Sequence, residues 1–244
     1  MQYFGFLQRL WIAAALIGGA ATAAFATPGG VHGVVELFTS QGCSSCPPAD
    51  RLLTAMAGRP DTVTLTFAIN YWDYIGWKDT LAAPEFTARQ EAYALGRGDP
   101  HVYTPEAVID GQFDAIGSDR AAIEKAIADG KNGGLALSVP VRLSEDNGML
   151  SIDIGRGAGP AGVYVLRVAK SRTVLISRGE NSGHDVTYTN VVRAIRKVGT
   201  WSGAPMSVKL MELRGDDEGY VVLLQRGSLN RPGVILAAAK SEGL

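Results

Sequence analysis

The stretch Val-Val-Glu-Leu-Phe-Thr-Ser-Gln-Gly-Cys-Ser-Ser-Cys-Pro-Pro-Ala-Asp at residues 34–50 contains the only two cysteines of the chain. A valine-rich apolar run precedes them, which is typical of a buried strand. The two prolines that follow suit the first turn of a helix, where a missing N–H group costs little. The sequence therefore predicts a strand, a tight turn carrying Cys43 and Cys46, and then a helix.

The first half of the chain continues with alternating strands and helices. The predicted elements are a strand at 33–38, a helix at 47–57, a strand at 62–69, a helix at 84–95, a hairpin of strands at 102–111 and 113–116 joined by an Asp-Gly turn, and a helix that Ser118 caps and Gly130 closes. This β-α-β-α-β-β-α order resembles the thioredoxin fold. A right-handed crossover makes the first two strands parallel, so the dithiol and the loop after the second strand are expected at one sheet edge.

The pattern changes after Gly133-Gly134 to strict alternation of apolar and polar residues. Short strands are predicted at 135–143, 149–154, 163–169, 186–195, 206–213, 220–225 and 234–239. About seven strands with turn signals between them favour a β-sandwich. We therefore predict an α/β thioredoxin-like domain at residues 30–132, followed by an all-β, sandwich-like domain at residues 133–244.

The amino terminus has the features of a secretory signal peptide. One basic residue, Arg9, precedes a short, alanine-rich apolar run, and Ala24-Phe25-Ala26 fits the small-residue rule for cleavage near Ala26. An uncleaved membrane anchor is the alternative, but the run is short for a span. Residues 1–26 are therefore predicted to be removed, which makes the mature protein periplasmic or secreted, with no membrane attachment.

The charge balance excludes one class of partner. Of 23 basic residues one lies in the leader, which leaves 22 against 24 acidic residues in the mature chain. The mature chain therefore lacks the excess of basic residues that is typical of proteins that bind nucleic acid. Export also means that two cysteines can persist as a disulfide.

The dithiol suits thiol–disulfide exchange. Cys43 is expected to be the exposed, attacking thiol and Cys46 the resolving one. Amide groups at the helix start should lower the pKa of the Cys43 thiol below its free value of about 8.5. A small structural disulfide is one alternative. A metal site is another, although it needs ligands from elsewhere; no metal and no cofactor are predicted. The chain has three histidines, His32, His101 and His184.

Two further residue sets are candidates for the dithiol site. Thr104-Pro105 opens the predicted hairpin, where thioredoxin-like proteins place a cis-proline against the dithiol, and its backbone is a candidate to hold an extended substrate. Glu36 is a candidate for a buried acid that transfers a proton to and from the Cys46 sulfur. The alternative is that Glu36 faces solvent at an edge of the sheet.

An aromatic loop, residues 70–77, follows the second strand. Trp72, Asp73 and Trp77 in this loop are candidates to bind substrate beside Cys43, although loop aromatics often only hold their own loop in place. His184 lies in a polar loop and is interpreted as an ordinary loop histidine.

Several blocks of the sequence resemble the DUF1223 family of bacterial secreted proteins. They are Glu-Leu-Phe-Thr-Ser-Gln-Gly-Cys-Ser-Ser-Cys-Pro-Pro-Ala-Asp at 36–50, Tyr-Trp-Asp-Tyr-Ile-Gly-Trp-Lys at 71–78, Arg-Gln at 89–90, Tyr-Thr-Pro at 103–105, Gly-Glu-Asn at 179–181 and Thr-Asn-Val-Val-Arg at 189–193. The resemblance covers nearly all of the mature chain. It implies a thioredoxin-like domain followed by a β-rich one, and it transfers no activity.

The sequence thus favours an exported thiol–disulfide oxidoreductase-like protein that acts on protein or small-molecule thiols and disulfides. The alternative is a non-catalytic binding protein in which Cys43–Cys46 is a permanent structural disulfide. A metal-delivery role, with His101 or His184 joining both sulfurs, ranks third.

Overall fold

The computed structural model describes residues 1, 30–212 and 214–244. The leader predicted over residues 1–26 lies, apart from its first residue, outside the described part. The strands are β1 (Gly33–Thr39), β2 (Thr62–Ala68), β3 (Glu106–Ile109), β4 (Phe113–Ile116), β5 (Val141–Asp146), β6 (Met149–Ile154), β7 (Ala161–Ile176), β8 (His184–Trp201), β9 (Met206–Met211), β10 (Glu218–Ser228) and β11 (Arg231–Lys240). The helices are α1 (Pro47–Ala57), α2 (Pro84–Arg97) and α3 (Arg120–Asn132), with a 3-10 turn at Asp73–Ile75.

One mixed sheet of eight strands runs through the molecule, in the order β11-β10-β7-β8-β2-β1-β3-β4. β1 and β2 are parallel, as predicted, while β3 and β4 form an antiparallel hairpin beside β1. β8 joins the free side of β2 through the single parallel pair Thr66↔Val191. The strands of the second half therefore extend the sheet that the first half begins.

Alternate side chains of β1 pack against different helices. Val35 and Leu37 contact the cluster formed with α1 and α3, whereas Val34 and Phe38 belong to the cluster that includes Tyr93 of α2. This second cluster also contains side chains from β7, β10 and β11. The hydrophobic core is therefore shared across the boundary predicted near residue 132.

A second sheet, with the order β5-β6-β9, covers part of the large one. Leu150, Ile152 and Ile154 of β6 pack against Val163 and Val165 of β7, and the fully buried Trp201 lies in the same cluster. The second half is thus rich in strands and has two packed sheets, as its alternating pattern indicates.

Several predicted element boundaries were wrong: β3 is shorter than the predicted strand at 102–111, and β7 and β8 are longer than the strands predicted at 163–169 and 186–195. The strand expected from residue 135 begins only at Val141, because the Leu137 and Val139 amides donate to carbonyls of β11 instead. The last helix is capped by Asp119, whose side chain accepts from the Ala122 amide, and it runs through Gly130 to Asn132. The Asp110-Gly111 turn is confirmed, with φ angles of 53° and 68°. No helix in the described residues is long and apolar enough to span a membrane.

Candidate functional site

The two cysteines form a disulfide within a tight turn at the end of β1. The Cys43 and Cys46 sulfurs are bonded, and the Cys46 amide donates to the Cys43 carbonyl oxygen at 3.2 Å. Cys46 is the N-cap residue of α1. Ser44 and Ser45 are exposed, but Cys43 is only 1% exposed and Cys46 0%. The expectation that Cys43 is the exposed cysteine was therefore wrong.

The loop between β7 and β8, residues 177–183, lies against the dithiol turn, and we call it the covering loop. The Asn181 side-chain amide donates to the carbonyl oxygens of Gln41 and Cys43 at 2.8 and 2.9 Å. The Ser44 amide donates to a carboxylate oxygen of Glu180 at 3.3 Å. These contacts join positions more than 130 residues apart in the sequence, so only the folded chain brings the covering loop onto the dithiol turn.

Removing the Asn181 contacts should expose the disulfide. We expect Asn181→Ala to be reduced by dithiothreitol several-fold faster than the wild type, because the covering loop loses both hydrogen bonds to the turn. Release of the two thiols, followed with a thiol-reactive dye, measures the rate. Ser182→Ala is the control, since Ser182 is exposed in the same loop and its side chain makes no hydrogen bond to the turn. Equal rates for both variants would show that Asn181 does not control access.

The aromatic loop packs on the other side of the dithiol turn. Trp72 donates from its indole N–H to the Thr104 hydroxyl at 2.7 Å, and Trp77 donates to the Gln41 side chain at 2.7 Å. The loop approaches so closely that a Cβ added at Gly42 would lie 3.1 Å from atoms of Trp72 and Ile75. Trp72 and Trp77 thus tie the loop, the turn and the hairpin together.

The remaining loop residues differ in exposure. Asp73 is half-buried and accepts a hydrogen bond from the Asp79 amide at 3.0 Å, so it shapes the loop. Tyr74 is 79% exposed and its ring stacks on Trp72, with ring centres 6.2 Å apart. Tyr74 is therefore the loop aromatic with most of its surface available to a partner.

Thr104 and Pro105 lie beside the dithiol turn, as predicted. The peptide bond between them is cis. The Ser45 hydroxyl donates to the Thr104 carbonyl oxygen at 3.4 Å, and the Thr104 hydroxyl accepts from Trp72. The fold thus brings Cys43, Cys46, Thr104, Pro105, Trp72 and Trp77 together at one edge of the sheet.

Glu36 is buried, but its partners do not suit a role at Cys46. Its carboxylate forms two hydrogen bonds with the Arg89 guanidinium, at 2.6 and 2.9 Å, and accepts another from the Tyr93 hydroxyl at 2.7 Å. Gln225 of β10 completes the cluster through contacts with Arg89 and Tyr93. The side chain lies on the α2 face of β1, whereas α1 covers the opposite face. We therefore correct the assignment of Glu36 as the acid beside the dithiol.

Asp50 is a buried acid on the dithiol side. It follows Cys46 by four residues, so the two side chains share one face of α1. Its Oδ1 accepts from the Thr39 hydroxyl at 2.8 Å, while its buried Oδ2 has no hydrogen-bond partner among the described residues. Burial raises the pKa of this carboxyl from 3.8 to about 7, and the nearby Asp79 carboxyl adds to the effect. The i, i+4 spacing from Cys46 was the sequence signal that could have identified Asp50.

A groove of about 500 Å³ opens beside the disulfide, between α1 and the start of β8. Pro47, Asp50 and Thr54 contribute from α1, and Asn181, Asp185 and Thr187 contribute from the covering loop and β8. The groove thus runs beside the first turns of α1, and its wall includes Asp50, whose burial favours the protonated form of the carboxyl.

The histidines do not gather at the site. His101 and His184 are exposed; the Nδ1 of His184 lies 3.3 Å from the Asn181 carbonyl oxygen, and His184 lines the groove without contacting the sulfurs in any described hydrogen bond. His32 lies 3.7 Å from Asp61, away from the dithiol. Within the part of the chain that the structure describes, no three His, Cys, Asp or Glu side chains are placed to hold a metal ion.

The fold and the site define a strand-rich α/β protein with a covered disulfide at the edge of a mixed sheet. A family model described as "Protein of unknown function (DUF1223)" matches residues 34–225, and the chain belongs to this family. The resemblance seen in the sequence blocks is therefore confirmed.

Two solved structures are similar to the chain. Protein AGR_C_4864 from Agrobacterium tumefaciens is 38% identical, with a TM-score of 0.81 over 88% of this chain and 96% of its own. HBP35 of Porphyromonas gingivalis has a TM-score of 0.61 and 13% identity, over 87% of this chain and 75% of its own, so this likeness concerns the fold alone. The comparison with curated proteins gives no match.

Proposed function

We propose that this protein is an exported thiol–disulfide oxidoreductase-like protein that uses the Cys43–Cys46 pair on protein or small-molecule thiols. The observation that carries the proposal is a disulfide at a helix start, with a buried carboxyl of raised pKa one helical turn away. Such a carboxyl can give a proton to the sulfur that leaves during exchange.

The oxidised form would react in two steps. A substrate thiolate attacks the Cys43 sulfur, a new S–S bond forms, and Cys46 leaves as a thiolate that takes a proton from Asp50. A second substrate thiolate then attacks the substrate sulfur of this mixed disulfide and releases Cys43 as a thiolate. The substrate leaves with a disulfide, and the protein holds the two electrons as a dithiol. A second disulfide compound, as oxidant, restores the Cys43–Cys46 bond, and the same steps in reverse reduce a substrate.

The proposal includes an interpretation of the two halves of the fold. Residues 30–132 are interpreted as a thioredoxin-like unit, since β1, β2 and the β3–β4 hairpin adjoin one another and three helices cover the sheet. Residues 133–244 are interpreted as a sandwich-like unit that supplies the covering loop. A cleaved leader would place both in the periplasm or outside the cell, where a disulfide persists.

A second candidate function is a non-catalytic binding protein with a permanent disulfide. The burial of both cysteines beneath Asn181 favours it, because a covered sulfur is poorly accessible to a second thiol. A reduction potential below about −300 mV would support this candidate, whereas a value between about −120 and −270 mV would place the pair among exchange catalysts.

Trapping distinguishes the two candidates. We expect Cys46→Ser, which lacks the resolving thiol, to accumulate a mixed disulfide through Cys43 when incubated with oxidised glutathione or with a disulfide-containing protein extract. Mass spectrometry of the non-reduced protein identifies the adduct. Cys43→Ser is the matched control, because it keeps one buried thiol but lacks the attacking one. The absence of any adduct on Cys46→Ser would contradict the exchange function.

A further inference from the structure

The β7–β8 hairpin extends beyond the rest of the large sheet at the groove. β7 pairs with β10 only as far as Ala169, while its pairing with β8 continues to Ile176. β8 meets β2 only at Val191. Residues 171–176 and 184–189 therefore form a two-stranded ribbon, and each of its outer edges lacks a neighbouring strand among the described residues.

The direction of the backbone groups at the groove follows from one contact. The Thr189 carbonyl oxygen accepts from the Thr66 hydroxyl at 2.6 Å, so it points away from β7. Because alternate residues of a strand direct their N–H and C=O groups to the same edge, those of Thr187 and Asp185 point the same way. In the described structure these groups have no hydrogen-bond partner at that edge. Both residues line the groove.

The opposite wall of the groove contains a buried carboxyl. Asp50 is only 5% exposed, and its Oδ2 has no hydrogen-bond partner among the described residues, although the side chain lines the groove. The groove ends at Pro47 and Asn181, and these residues adjoin the two cysteines. A ligand that lies along β8 is therefore next to the covered dithiol turn.

We propose that this groove binds an extended segment of another polypeptide, which pairs as an added strand with the edge of β8 at Asp185 and Thr187. An extended chain fits because it supplies the alternating N–H and C=O groups that this edge lacks, whereas a small thiol cannot satisfy them. This inference rests on the proposed exchange function and makes its substrate class polypeptide.

The hairpin provides a matched pair of variants. Thr187→Pro removes the N–H that faces the groove. Thr173→Pro makes the same change on the outer edge of β7, directly opposite Thr187. In an antiparallel pair, two opposite residues either both bond to each other or both direct their backbone N–H and C=O groups outward, so the Thr173 N–H also points away from the partner strand. Both variants also lose the 2.8 Å hydroxyl contact between Thr173 and Thr187, so their effects on stability should be similar. Proline is tolerated at such edge positions.

The test measures binding of a fluorescent peptide, Thr-Val-Thr-Lys-Val-Thr-Val, to the full-length oxidised protein by anisotropy. We expect Thr187→Pro to weaken binding at least tenfold and Thr173→Pro to change it less than twofold. On the wild type, a peptide N-methylated at alternate amides should bind at least tenfold more weakly, and this measurement needs no variant to fold.

Two results would overturn the proposal: no binding of the parent peptide at millimolar concentration, or equal losses for both proline variants. The peptide has no cysteine, so its binding does not depend on exchange. If Cys46→Ser traps glutathione but the peptide does not bind, the exchange function stands and the polypeptide substrate is wrong. If the peptide binds in the groove but nothing is trapped, the exchange function is wrong and the groove belongs to a binding protein.

Discussion

Replacing Arg89 with methionine should lower the free energy of unfolding by about 3–5 kcal/mol, because it leaves the Glu36 carboxylate buried without its cation. Glu36 is 0% exposed and Arg89 3%, and the guanidinium also lies over the Tyr93 ring at 4.9 Å. The variant keeps an apolar stem of similar length, so the loss reports mainly the unpaired charge. Urea unfolding at pH 7 measures it.

Arg59→Met is the control for this prediction. Arg59 pairs with Glu124 at 2.7 Å, but both side chains are more than one third exposed, so the expected loss is within about 1 kcal/mol. The double variant Glu36→Gln, Arg89→Met should recover part of the loss, since it removes the buried charge as well as its partner. If Arg89→Met is no less stable than Arg59→Met, the buried pair does not support the fold.

Replacing Asp50 with asparagine should slow reduction of the disulfide about tenfold or more at pH 6, because the carboxyl that we propose as proton donor to the leaving Cys46 sulfur is lost. The pKa of Asp50 is about 7, so above that pH the wild type also lacks this proton and the two rates should converge. Rates are measured with glutathione between pH 5.5 and 9 and divided by the thiolate concentration. A rate ratio independent of pH would contradict the role.

The same substitution should raise stability at alkaline pH. The folded state keeps the Asp50 proton up to about pH 7, whereas the unfolded chain releases it near 3.8. Stability therefore falls as pH rises through this window, and at about 1.4 kcal/mol per pKa unit the loss reaches at most about 4 kcal/mol. Asp50→Asn should recover much of this at pH 8 and gain nothing at pH 3, as urea unfolding at both pH values will show.

Asp110→Asn is a matched control for both measurements. Burial also raises the pKa of Asp110 to about 7, and its Oδ1 accepts from the Val34 amide at 2.7 Å. Val34 lies at the start of β1, whereas the dithiol turn follows the end of the strand. Asp110→Asn should therefore gain stability at pH 8 in the same way, but leave the reduction rate unchanged.

Local sequence signals predicted the elements around the dithiol. A valine-rich run, two cysteines and Pro47-Pro48 indicated β1, the turn and α1, and Asp110-Gly111 indicated the hairpin. Each signal works within a few residues, because backbone preferences and hydrophobic periodicity act over that range. The right-handed crossover between β1 and β2 also correctly predicted that the aromatic loop lies at the same sheet edge as the dithiol turn.

Short-range patterns in the sequence thus predicted the strand–turn–helix that carries Cys43 and Cys46, and the strand-rich second half. Tertiary structure decided the rest: that β8 joins β2 in one sheet, that Glu36 pairs with Arg89, and that Asn181 covers the dithiol turn. These outcomes depend on contacts between distant residues. A buried carboxylate must be paired with a cation that lies close to it in the folded structure. No local pattern in the sequence specifies which residue provides that cation.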